Sequence, residues 1–277
     1  MMDFWTAWQY PFIQQAFWIA LILGVTCAVL SCFLVLKGWA LMSDGIAHAL
    51  LLGVVLANIM GFPMWFGALF AAVVCALGTG FLERHSTLKS DTLLGILFSS
   101  MFALGIILFQ KFHDGQHLLH ILFGNLLGMY EAQQKQVWIT CLVVLALLLI
   151  FGRDLKLFVF DAIHARLSGL SIPFLYTLLL LMLAFTTVAA MQAVGVVLVV
   201  AMFIAPGISA QLVTKRFGLM VLVAVLLAVL SNITGIYLSV KYNVSTAACI
   251  VLTQATCFAL MLLIRHVQRL HHALFWD

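Results

Sequence analysis

Runs of mostly apolar residues, each long enough or nearly so to cross a bilayer, follow one another along almost the whole chain. A membrane-crossing helix needs about 20 such residues. The candidates are Ala16–Leu36, Ala40–Met60, Met64–Leu82, Thr92–Gln110, Gln136–Phe151, Phe174–Ala190, Gly195–Val213, Leu219–Ser239 and Ala247–Ile264. A tenth apolar piece, Leu118–Tyr130, is too short to cross and reads as a re-entrant or interfacial helix on the outer side. Continuous runs predict helices, because the strands of a membrane barrel show short alternating segments instead. The expected fold is therefore all-α, a polytopic membrane helical bundle of about nine spans plus a short external helix. One transmembrane domain would cover residues 1–277.

Composition narrows the function as well as the fold. Of 277 residues, 65% are hydrophobic and 8% charged, and the mean hydropathy is +1.21. A soluble domain carries about 25% charged residues. A water-soluble enzyme, a disordered chain and a nucleic-acid binder are excluded. The formal charge of +4 marks no nucleic-acid surface, because the basic residues are scattered. The expected surroundings are membrane lipid.

The few basic residues predict an orientation. With the N-terminus outside, the inner segments hold Lys37, Arg84, Lys89, Arg153, Lys156, Arg166, Lys215, Arg216, Arg265 and Arg269, which is ten. The outer segments hold three, Lys111, Lys135 and Lys241. Positive charge collects on the cytoplasmic side of membrane proteins, so the N-terminus is expected out and the C-terminus in. Trp18, Trp39, Trp65 and Trp138 lie near expected span ends, where indoles sit at headgroup level. The six cysteines all fall inside expected spans with no C-x-x-C pair, and read as small packing residues.

Two segments break the pattern. Pro206, in FIAPGISAQ, lies inside an expected span. It removes a backbone donor and should kink that helix, either as a flexing point of a translocation path or as a tolerated membrane kink. The longest inner loop is 152–172, GRDLKLFVFDAIHARLSGLSI. Within it, residues 160–167 predict a short amphipathic helix, with Asp161 capping its start and Gly169 ending it. Such a helix on the inner face suits a cytoplasmic partner, or lies at the interface with none.

Sorting the ionisable residues by position leaves two well inside apolar spans: Asp44 and His48. Residues four apart share a helix face, with Cβ atoms about 5–6 Å apart. A carboxylate and an imidazole so placed form half of a site for a divalent transition metal. Two ligands are too few for tight binding, but two copies meeting across a symmetry axis would supply four. The same pair also reads as a structural ion pair or as a proton relay, since intramembrane Asp and His residues serve pumps. A second cluster, His113, His117 and His120, lies on the outer side with helix-compatible spacing. It would make an external metal funnel, although Gly115 interrupts the helix.

The chain lacks G-x-x-x-x-G-K-[ST], H-E-x-x-H and G-x-S-x-G. It is expected to be no enzyme. Transport would be driven by an ion gradient, or by ATP hydrolysed in a separate chain.

The segment LKGWALMSDGIAHALLLGV (Leu36–Val54) resembles the signature of the bacterial manganese/zinc/iron ABC-importer permeases. Asp44, His48 and Gly53-Val54 match it; Ser43 stands where Gly is usual and Leu52 where Pro is usual. Ser90–Gly105, Leu122–Gly128, Phe160–Leu170 and Val194–Gly218 match further family segments in order. The last span departs, with Ser245-Thr246-Ala247-Ala248 in place of Pro-Thr-Gly. The resemblance looks most like the manganese/iron subgroup. It implies a permease subunit of the bacterial inner membrane that takes up Mn2+ or Fe2+, with Zn2+ third, and holds no permanent cofactor. It implies a second permease subunit, identical or not, a cytoplasmic ABC ATPase dimer and an extracytoplasmic metal-binding protein. Asp44 and His48 become pathway ligands. Phe160, Asp161, His164, Arg166 and Gly169 become the ATPase-coupling segment. The alternative is a secondary metal or proton-coupled carrier with Asp44–His48 as its relay.

Overall fold

A computed structural model describes residues 9–39, 41–88, 90–112 and 126–276. Among them every regular element is a helix. The helices are α1 (Pro11–Lys37), α2 (Met42–Met60), α3 (Met64–His85), α4 (Ser90–Phe112), α5 (Glu131–Phe160), α6 (Ala162–Leu167), α7 (Ile172–Val213), α8 (Phe217–Tyr242) and α9 (Thr246–Trp276). A single 3-10 turn, Leu126–Gly128, precedes α5. The expected external helix Leu118–Tyr130 falls largely outside the described residues, and its described end is this turn.

Among the described residues, seven helices are long and apolar enough to cross a membrane. An eighth apolar helix, Leu198–Val213, is shorter. The expected run Gln136–Phe151 lies within α5, whose 30 residues make a rod of about 45 Å. That exceeds a hydrocarbon core of about 30 Å, and α5 is not among the seven helices that meet the length and apolarity of a crossing helix. Residues 152–160, read above as part of a loop, are its last turns, and Phe160 belongs to α5 rather than to the start of the next helix. The reason is packing: Leu155, Phe158 and Val159 repeat at helical spacing and are buried.

The chain forms two compact units. One comprises residues 36–200. Here α2 packs on α3 and α4, α3 on α4, and α5 on α6. The α2–α3 crossing is set by glycine. A Cβ on Gly53 would fall on the carbonyl of Gly67 and 2.6 Å from the Ala71 methyl, and one on Gly67 would fall on Gly53. Paired small residues of this kind let membrane helices approach backbone to backbone, where dispersion substitutes for a hydrophobic force that lipid does not supply.

The other unit comprises residues 1–35 and 201–277, of which those from 9 to 276 are described. Asn232 of α8 donates from Nδ2 to the Ala20 carbonyl of α1 at 2.7 Å. Gly207 of α7 donates its N–H to Ser31 Oγ at 3.0 Å. α8 also packs along α9, where Thr253 reaches the Ser231 carbonyl at 3.0 Å. In lipid such polar links have no competing water.

The run spanning α7 is one helix broken once, at Gly195 (φ 78°, ψ 168°). Only glycine enters that region without strain. Pro206 follows 11 residues later, inside the helix. Five of the cysteines are buried among apolar neighbours and Cys257 is half-buried. Trp18 and Trp65 are exposed as an interfacial belt requires, but Trp39 is not. It is 2% exposed and packs edge-on to Tyr176, so it belongs to the protein interior and not to the lipid boundary.

Candidate functional site

Asp44 lies in the first turn of α2 and His48 one turn later. Along α2 the accessible side chains before Asn58 are Asp44, His48, Leu52 and Leu56, a single i, i+4 stripe. The rest of the helix is buried against its neighbours. His48 is 36% and Asp44 31% exposed, so both open onto that stripe.

The pair is held inside its own helix. His48 Nδ1 lies 3.2 Å from Asp44 Oδ1 and 2.9 Å from the Asp44 backbone carbonyl. Both partners are acceptors, so Nδ1 carries the proton. In the neutral ring this leaves the Nε2 lone pair available. Orientation of a ligating imidazole by a carboxylate or carbonyl on its other nitrogen is the usual arrangement in metal sites. The ring is also walled by α4: Phe98 and Phe102 lie 5.8 and 5.6 Å away between centroids. These two walls were not readable in the sequence, where nothing distinguishes them from other apolar residues of the fourth span.

Among the described residues, no group of three or more His, Cys, Asp and Glu gathers anywhere. His113, His117 and His120 lie outside the described residues.

The segment after α5 has the expected local form. Asp161 Oδ1 accepts the N–H groups of Ile163 and His164, each at 2.9 Å, and so caps α6. Gly169, at φ 82°, closes it, with the Leu170 N–H on the Ala165 carbonyl at 3.1 Å. Ala165 alone is buried; Phe160, Ile163 and Leu167 are exposed, with His164 and Arg166 among them. Pro206 stands in α7 beside Ser209, Leu227, Ser231, Gln254 and Cys257, around a cavity of about 10 Å³.

Fold and site define a multi-pass helical membrane protein with a carboxylate–imidazole pair in an otherwise apolar span. Residues 9–265 match the ABC 3 transport family, and the chain belongs to that family of membrane transport subunits. It is 46% identical over 260 residues to the chelated iron transport system membrane protein YfeD of Yersinia pestis, covering 94% of this chain and 87% of that one. It is 43% identical over 256 residues to the manganese transport system membrane protein MntC of Halalkalibacterium halodurans, covering 91% and 87%. Among solved structures it is similar to PsaBC from Streptococcus pneumoniae in complex with Fab, with a TM-score of 0.80, 33% identity and 91% of each chain covered.

Proposed function

We propose that this chain is the permease subunit of an ATP-driven importer that carries a divalent transition metal inward across the bacterial inner membrane. The cargo is Mn2+ or Fe2+, with Zn2+ third. The observation that carries the reading is the Asp44–His48 pair: two metal-ligand side chains on the one accessible stripe of a buried helix, with Nδ1 committed and Nε2 available. A carboxylate inside an apolar span is costly, and a hydrogen-bonded pair confined to one helix offsets little of that cost. The names of the iron and manganese relatives agree with this cargo. Carboxylate oxygen suits Mn2+ and imidazole suits Fe2+ and Zn2+.

Transport then follows from incompleteness. One chain offers two ligands, and a second permease subunit facing the same stripe brings the total to four. Such a site holds the ion briefly and lets it go, as conduction requires. An extracytoplasmic metal-binding protein delivers the ion on the outer side, where His113, His117 and His120 gather it. On the inner side, the segment 152–172 meets a cytoplasmic ABC ATPase dimer through α6, with Phe160, His164 and Arg166 exposed to it and Asp161 and Gly169 fixing its ends. The N-terminus is outside and the C-terminus inside. Pro206 is the flexing point of α7.

The test is metal accumulation in cells that depend on this transporter, with Mn2+, Fe2+ and Zn2+ assayed separately. His48→Ala should abolish uptake of the cargo metal at unchanged protein level. Normal accumulation of all three metals would end the proposal. Uptake that survives inactivation of the partner ATPase would favour a secondary carrier.

A further inference from the structure

We propose that Lys37, Trp39, Glu83, Phe158 and Tyr176 form a latch that ties the coupling helix α6 to the first turn of α2, and that Lys37 is its principal positioning residue. The inference rests on the reading of α6 as the ATPase contact and of Asp44–His48 as the metal pair.

The cluster joins five parts of the chain, all within the unit of residues 36–200. Lys37 ends α1, and its Nζ lies 4.4 Å from the Phe158 ring centroid and 6.0 Å from that of Trp39. Trp39 meets Tyr176 edge-on, with centroids 5.1 Å apart. Phe158 meets the same Tyr176 at 6.4 Å. The Tyr176 hydroxyl, on α7, donates to Glu83 of α3. Gly80 makes the room: a Cβ there would lie 2.6 Å from Tyr176 Cε1. Trp39 and Phe158 are both 2% exposed, and Lys37 is half-buried with the Glu83 charge acting on it. A half-buried ammonium over the Phe158 ring, with Trp39 beside it and the Glu83 charge acting on it, is held in place by cation–π and charge attraction.

Its two ends are what give the cluster a function. Phe158 precedes the α6 cap, Asp161, by three residues, and the Asp161 N–H closes on the Leu157 carbonyl at 2.9 Å. At the other end, the Trp39 carbonyl accepts the Met42 N–H at 3.1 Å and so opens α2, two residues before Asp44. A displacement of α6 therefore reaches the end of α5 as a rigid turn, passes through Phe158, Lys37 and Trp39, and shifts the helix turn that carries Asp44. The metal-stimulated ATPase cycle and the metal pair are coupled through this contact, and none of the five side chains touches the metal.

The test uses the full transporter complex in proteoliposomes, reading metal moved per ATP hydrolysed, with Mn2+ as probe. Lys37→Met should lower that ratio about fivefold or more, while basal ATP hydrolysis and Mn2+ occupancy of the pair, read by magnetic resonance, stay as in the parent. Lys37→Arg keeps the cation over the rings and should restore the ratio. If Lys37→Met does not assemble with the ATPase, Tyr176→Phe replaces it, since it removes one hydroxyl and leaves the ring; it should lower the ratio in the same sense. A parent-like ratio in the assembled variant overturns the latch. Asp44→Ala is run beside them: if it too transports normally, the metal-pair reading has failed, whereas its loss together with a normal Lys37→Met condemns the latch alone.

Discussion

His48 spends its Nδ1 proton on its own helix, and the acceptors are the carbonyl and carboxylate of Asp44. Asp44 therefore has two tasks, orienting the ring and offering charge. Asp44→Asn keeps the shape and removes the charge, and should weaken apparent metal affinity about 10–100-fold, read from the concentration dependence of uptake. Asp161 has one task, and Asp161→Ala should cost about 1 kcal/mol of α6 stability and weaken ATPase association in pull-down of the detergent-solubilised complex. Asp44, His48 and Asp161 were legible in the sequence, each by its own signal. An ionisable group in an apolar span is costly enough to need a purpose, and Asp followed by a helical run is a cap. Phe98, Phe102, Trp39 and Phe158 were not legible, because an aromatic residue in an apolar run gives no sign of which helix it will meet.

At the scale of the elements, what matters is where helices stop and how closely they cross. The break at Gly195 coincides with an expected span start, because glycine is the residue that enters positive φ at little cost. The continuation of α5 to Phe160 was hidden: Arg153, Asp154 and Lys156 look like loop residues, yet Leu155, Phe158 and Val159 between them carry the buried face. The α2–α3 crossing makes the sharpest stability prediction. Gly67→Val puts side-chain atoms into the Gly53 backbone and should cost at least about 1–3 kcal/mol, visible as a lower unfolding temperature in detergent. Gly218→Ala, where a Cβ meets nothing within 4 Å, serves as the control and should leave it unchanged.

For the whole molecule, the scarcity of charge suits an apolar surface, and the placement of the few basic residues predicts an orientation. Phe66, Phe70, Phe81, Ile96 and Leu149 are exposed apolar residues on crossing or adjoining helices, as a lipid-facing surface demands. The bias of basic residues, ten against three, predicts sidedness. In a cysteine-free background, Lys135→Cys should react with a membrane-impermeant thiol reagent in intact cells, and Arg166→Cys only after permeabilisation. The reverse pattern would turn the chain over. The membrane class and helical architecture were readable from the apolar runs alone; the division into two units was not, since it depends on which helix faces meet.

All of these scales converge on one question, whether the cargo ion is bound by the α2 pair. The direct measurement is nitrogen hyperfine coupling to Mn2+ in the purified complex, loaded with the ion and arrested by an inactive ATPase. The imidazole Nε2 of His48 should give a nitrogen signal that disappears in His48→Gln. An unchanged nitrogen signal in that variant, or none in the parent complex with Mn2+ bound, would contradict the account.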